Sequence, residues 1–149
     1  MPLPGLTLRA ARHADLAAIR RLVDEAIPEP DGARLAATTE RIARTLDLCV
    51  VAEYRESTIG HISCWQDEML GVVGSHMVSK PYRGLGAGGA LLAHTVKQAR
   101  DLGLRLLEVS FDAEACRASH LYERHGFRPI GSHSPDGWNR YERRLDGPT

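Results

Sequence analysis

The chain has 149 residues, 43% of them apolar and 26% charged, which is enough apolar content to build a core and excludes a disordered polymer. Nineteen Lys and Arg balance nineteen Asp and Glu, so the composition carries no footprint for nucleic acid or for an anionic membrane surface. No apolar run nears the roughly 18–20 residues of a membrane span, and residues 1–12 lack the layout of a signal peptide, so a cytoplasmic protein is expected.

In chain order, residues 6–10 alternate as a short first strand. Leu16, Ile19, Val23 and Ala26 then recur at spacings of three and four behind Asp15, the mark of an amphipathic helix. Pro28 and Pro30 close it, because proline cannot extend the hydrogen-bond ladder. Leu35, Thr39, Ile42 and Leu46 stripe a second helix. Next, residues 48–54 and 58–65 read as strands joined by a tight turn at Arg55-Glu56-Ser57. A third strand over residues 69–78 completes a meander, and Gly71 and Gly74 inside it predict a bulge or a close backbone approach. Pro81 stops that strand, and a glycine-rich turn over residues 84–89 follows. Leu92, Val96, Ala99 and Leu102 stripe a helix ended by Gly103. A strand over residues 104–111, a helix over residues 113–125 closed by Gly126, and strands over residues 127–130 and 138–145 complete the chain. The order β-α-α-β-β-β-α-β-α-β-β predicts one α+β domain spanning residues 1–149, neither doubly wound nor a bundle. Cys49, Cys64 and Cys116 are odd in number and widely spaced, and they read as buried thiols. No spacing of His and Cys calls for a metal.

The segment Arg83-Gly84-Leu85-Gly86-Ala87-Gly88-Gly89 lies between a strand and a helix. Glycines there let backbone N–H groups approach an anion, the helix adds the positive end of its dipole, and Lys80 and Arg83 add charge. The bland alternative is a strand-to-helix turn that happens to be rich in glycine. Among ligand loops, the phosphate loop is absent because no Lys-Ser or Lys-Thr follows. The kinase loop fails for want of H-R-D and D-F-G. G-x-G-x-x-G is literally present at Gly84, Gly86 and Gly89, with Glu108 about 20 residues on, where a ribose-binding carboxylate would stand. Antiparallel strands ahead of it, and too little chain after it, speak against a dinucleotide fold.

A third reading fits better. The run from Val78 to Gly88 resembles the acyl-CoA signature Q/R-x-x-G-x-G/A of the GNAT family of N-acetyltransferases, filled by Arg83, Gly86 and Gly88. The proline of the family's lead-in stands one place later, at Pro81. Leu121-Tyr122-Glu123-Arg124-His125-Gly126-Phe127 is similar to the family's L-Y-E-x-x-G-F segment, and the element order agrees over nearly the whole chain.

The resemblance implies a mixed, mostly antiparallel sheet with helices on both faces. It implies acetyl-CoA lying where a bulge splays the fourth strand from the fifth, and no metal. The backbone of Met77 and Val78 would pair with the pantetheine arm, and the N–H groups of Arg83, Gly84, Leu85, Gly86, Ala87, Gly88 and Gly89 would hold the pyrophosphate. Where the family often has an asparagine seven places before the tyrosine, this chain has Ala115, and Asp112 would substitute in part.

The reaction implied is direct attack of a primary amine, on a small molecule or a peptide, on the thioester. Tyr122 would be the general acid, with core packing as its alternative role, and the Val78 N–H would steady the developing oxyanion. His76, Glu68 or a water chain would be the base. Acceptor contacts would come from Asp24, Glu25, Glu29, Asp31, His133, Asp136, Trp138 and Tyr141, unless the acidic stretch is only a solvated helix end. A homodimer is the assembly the resemblance offers. A non-catalytic acyl-CoA-binding module is the alternative from a different class.

Overall fold

The computed structural model describes residues 3–26, 40–112, 116–130 and 138–145. Its strands are β1 (Thr7–Ala10), β2 (Val50–Tyr54), β3 (Ser57–Asp67), β4 (Leu70–Val78), β5 (Leu106–Asp112), β6 (Arg128–Pro129) and β7 (Trp138–Arg144). Its helices are α1 (Leu16–Ala26), α2 (residues 40–44), α3 (Ala87–Asp101) and α4 (Cys116–Arg124). The strands hydrogen-bond in the order β1-β2-β3-β4-β5-β7-β6. Pairing is antiparallel at β1–β2, β2–β3, β5–β7 and β6–β7, and parallel at β4–β5. This is the mixed, mostly antiparallel α+β sheet that the element order predicts.

The chain divides into two compact units: Met1–Cys64 with Ser75–Thr95, and Trp65–Gly74 with Val96–Thr149. In the first, β2 and β3 are joined by Arg55 and Glu56, both at positive φ, as a two-residue hairpin turn of the right twist requires. Neither is glycine, so the turn carries some strain, and Arg55 lies over the Tyr54 ring at 5.0 Å. Val51 pairs with His61, and Ala52 with Gly60. Side chains alternate across a strand, so these pairs face opposite ways. Val51 joins Ala11, Ile19, Val23, Ile42 and Cys49 in a core built with α1 and α2. A side chain at Gly60 would instead meet Leu91 of α3. Helices therefore cover both faces of this part of the sheet.

Arg9 ties the start of this unit together. Its two terminal nitrogens each donate to one Asp15 oxygen at 2.7 Å, and its Nε donates to Glu53 at 2.6 Å. Asp15 is only 7% exposed and also accepts the Arg12 N–H at 2.7 Å. The Arg9 hydrogen bonds hold its carboxyl below the usual carboxylate range, despite the opposing effect of burial. A depressed carboxylate stabilises above its unfolded pKa, and that contribution is lost as pH falls through the folded value. Asp15→Asn removes the charge of the bidentate pair and leaves Arg9 its ion pair with Glu53, so it is expected to cost about 1–2 kcal/mol in urea unfolding at neutral pH.

In the second unit, β4 pairs with β5 from Leu70 opposite Leu106 to Val73 opposite Val109. Gly71 sits in regular register opposite Leu107 and forms no bulge there, and Gly74 follows the last paired residue. A register shift also falls in β2, between Ala52 and Glu53. Leu107, Val109, Tyr122, Phe127 and Tyr141 are buried. α4 ends where Gly126 takes φ +86°, and the Phe127 N–H returns to the Tyr122 carbonyl at 3.0 Å, a glycine-stopped terminus. Arg143 donates to the His125 carbonyl at that same end, where the helix dipole favours a cation.

Candidate functional site

The end of β4 and the start of α3 lie in the first unit, and Gly60 sets how closely β3 comes to them. A Cβ there would stand 3.0 Å from the Met77 carbonyl oxygen and 3.4 Å from Val78. A Cβ would be crowded there, so glycine lets β3 approach the Met77 carbonyl closely. Met77 packs its side chain on the α1–α2 core. The Val78 carbonyl accepts Arg83 Nε at 2.8 Å, which folds the arginine back over the strand end.

After β4, a short 3-10 turn at Lys80–Tyr82 leads into the glycines. Gly84 and Gly86 take φ of +78° and +93°, conformations that side-chain-bearing residues rarely adopt. The Gly86 carbonyl accepts the Ala90 N–H at 3.0 Å, so Gly86 caps α3 and the helix begins at Ala87. The glycine turn is thus shorter than residues 84–89. Gly88 and Gly89 belong to the first helical turn, because a first turn needs no side chain to form.

The N–H groups of Gly86, Ala87, Gly88 and Gly89 have no partner within the helix. They converge where the dipole of a fifteen-residue helix is positive. Ala87 is buried, which anchors the helix start, while Leu85 is 37% exposed. The arrangement suits a phosphate-bearing ligand, and these orphan donors fit one without any added group.

His76 on β4 reaches across to this turn, with its Nε2 2.8 Å from the Gly88 carbonyl. A carbonyl only accepts, so Nε2 carries a proton. Behind it runs a buried polar seam that the sequence reading did not single out. Ser63 and Ser75 share a 3.1 Å contact between hydroxyls, the Ser75 N–H donates to Ser63 Oγ at 2.8 Å, and His61 Nε2 stands 3.4 Å from Ser75 Oγ. His61 is 0% exposed, and burial, aided by the nearby His76, pushes its pKa down to about 3. The signal available in sequence was the pair of polar residues two apart, His61 and Ser63, within the apolar run from Ile59 to Trp65.

The remaining expected site residues are placed within their own units. Glu68 sits in the turn ahead of β4 at φ +53°, and its carbonyl accepts Gln66 Nε2. Tyr122, in the second unit, is 1% exposed and meets the Phe127 ring edge-on at 5.0 Å. Asp112 ends β5 opposite Trp138, and the side chains of both lie outside the described residues, as do Glu29, Asp31, Ala115, His133 and Asp136. Tyr141 donates to Glu123 at 3.2 Å, and Glu25 is engaged by the turn after β4. Among the described residues, no helix is long and apolar enough to cross a membrane.

With this geometry in view, the chain matches the family model described as Acetyltransferase (GNAT) family over residues 16–127. It is similar in structure to a GNAT-family acetyltransferase of Staphylococcus aureus Mu50, at TM-score 0.79 and 17% identity, over 95% of this chain and 99% of that one. The PaiA N-acetyltransferase of Thermoplasma acidophilum, in complex with coenzyme A, gives 0.79 and 13%, over 93% and 98%. The ribosomal-protein-S18-alanine N-acetyltransferase of Escherichia coli gives 0.79 and 17%, over 97% and 96%. No curated protein matches the chain in sequence.

Proposed function

The chain belongs to the acetyltransferase (GNAT) family, and we propose that it moves an acetyl group from acetyl-CoA to a primary amine of a small molecule or peptide, by direct attack in a ternary complex. The observation that carries this reading is the set of orphan N–H groups from Gly86 to Gly89 behind two glycines at positive φ. They would hold the pyrophosphate, with Arg83, Gly84 and Leu85 completing the cradle and the backbone of Met77 and Val78 facing the pantetheine arm. Bound acetyl-CoA supplies an activated acyl carbon. Asp112 is the proposed further contact of the arm.

An alkyl ammonium with an ordinary pKa near 10.4 must lose a proton before its nitrogen can attack. His76, on β4 beside the glycine turn, is the proposed base, acting through a water. Glu68, in the turn ahead of β4, is the weaker option. The Val78 N–H would donate to the oxygen that gains charge. The Tyr122 hydroxyl would give its proton to the departing sulfur as the carbon–sulfur bond breaks. The name of the E. coli neighbour, which acts on an alanine of a ribosomal protein, supports a peptide amine as one acceptor to test. The reading includes a single catalytic domain working in the cytoplasm.

One observation favours a second reading. Tyr122 is buried and packed edge-on against Phe127, as a core residue of a non-catalytic acyl-CoA-binding module would be. Tyr122→Phe separates the two, because it keeps the ring and removes only the hydroxyl. The catalytic reading expects thiol release from acetyl-CoA, in a panel of amines, to fall by about ten-fold or more in a variant that remains folded and binds CoA. Unchanged turnover removes the acid role.

A further inference from the structure

The 3-10 turn at Lys80–Tyr82, which carries β4 into the glycine turn, has no cap of its own. Ser79 precedes it and makes no side-chain capping bond to it. Pro81 has no N–H to offer. The Lys80 N–H is therefore the orphan donor at the start of the turn. Its acceptor comes from 55 residues earlier in the chain. Glu25, in the last turn of α1, accepts the Lys80 N–H through Oε1 at 2.7 Å and the Ser79 hydroxyl through Oε2 at 3.3 Å. The same carboxylate stands 3.9 Å from Arg83 Nη2. The Tyr82 ring meets Tyr54 of β2 edge-on, with centroids 5.8 Å apart. The segment from Ser79 to Arg83 is thus held from α1 and from β2, and it runs directly into Gly84 and Gly86.

A carboxylate in the last turn of a helix opposes the negative end of the dipole. Glu25 therefore does not stabilise α1, and among the described residues it bonds to the turn after β4. We infer that Glu25 is a positioning residue for acyl-CoA binding: by capping the 3-10 turn from a distance, it presets the glycine turn that presents N–H groups to the anion. The inference rests on the acyl-CoA reading above. A loop held before its ligand arrives loses less freedom on binding, so Glu25 acts on cofactor affinity and not on the chemical step.

The test compares Glu25→Ala with Glu25→Gln, whose amide oxygen still accepts the Lys80 N–H. Calorimetry with CoA is expected to show affinity falling about ten-fold or more in Glu25→Ala and largely restored in Glu25→Gln. The KM for acetyl-CoA should rise in step, with kcat and the acceptor KM within about two-fold. In the unliganded protein, exchange of the Lys80 amide should quicken about ten-fold or more in Glu25→Ala. Unchanged CoA affinity in a folded Glu25→Ala protein overturns the inference while leaving the acyl-CoA reading intact. A rise confined to the acceptor KM overturns it too, and makes Glu25 an acceptor contact. A wild-type chain that fails to bind CoA overturns the acyl-CoA reading, and the cofactor role of Glu25 falls with it even if Lys80 exchange responds.

Discussion

Gly86→Val is expected to lower affinity for CoA by at least about 100-fold. Two costs add. The native φ of +93° is one that a β-branched residue resists, at about 1–3 kcal/mol. Any relaxation of that strain turns the cap of α3 and misdirects the first helical N–H groups. Each charge-assisted bond to a phosphate is worth about 1.5–3 kcal/mol, so losing two accounts for the fall. Calorimetry with CoA reads the affinity, and circular dichroism confirms the helix content. Gly84→Ala is the milder partner. A Cβ there meets nothing within 4 Å, so only the φ of +78° resists it. Affinity in Gly86→Val within a few-fold of wild type would remove the turn as the anion site.

His61 governs the second large effect, which is on stability. The folded protein keeps this ring neutral down to a pKa of about 3, whereas the unfolded chain protonates it near 6.5. Below pH 6.5 the unfolded state therefore binds more protons, and stability falls with pH by up to about 1.4 kcal/mol per unit. Between pH 7.5 and 4.5 the loss should be on the order of 2–3 kcal/mol. That window lies above the range where the depressed Asp15 titrates, so the two effects separate. Urea unfolding across it should show the slope in wild type and a flatter profile in His61→Gln. A wild-type profile already flat above pH 4.5 would contradict the neutral, buried ring.

Local chemistry explains what the sequence revealed of this site. Gly84 and Gly86 are legible because positive φ selects glycine wherever a turn demands it, and the strand before and helix after announce themselves by period. Tyr122 falls on the apolar face of a striped helix, and it is buried there. The start of α3 at Ala87 was not legible, because Gly88 and Gly89 have poor helix propensity and tertiary packing overrides it. Glu25 stands out in sequence only as an acceptor contact, and nothing there signals its bonds to the turn after β4. Its partners lie 54 and 55 residues away, and their need arises from Pro81 and an uncapped turn. Gly60 is silent for a similar reason, since the crowding by Met77, Leu91 and Val78 arises only in the folded sheet. Glu68 and His76 look alike in sequence as bases near one strand, yet one precedes that strand and the other lies near its end.

Thermal melting of the purified chain with CoA, acetyl-CoA and NAD tests the central claim most directly. A ligand at 100 times its Kd stabilises by about 2.7 kcal/mol, a shift of several degrees for a domain of this size. The account predicts that shift with CoA and with acetyl-CoA, and none with NAD at the same concentration. A shift with NAD alone, or no shift with either CoA form, would contradict it.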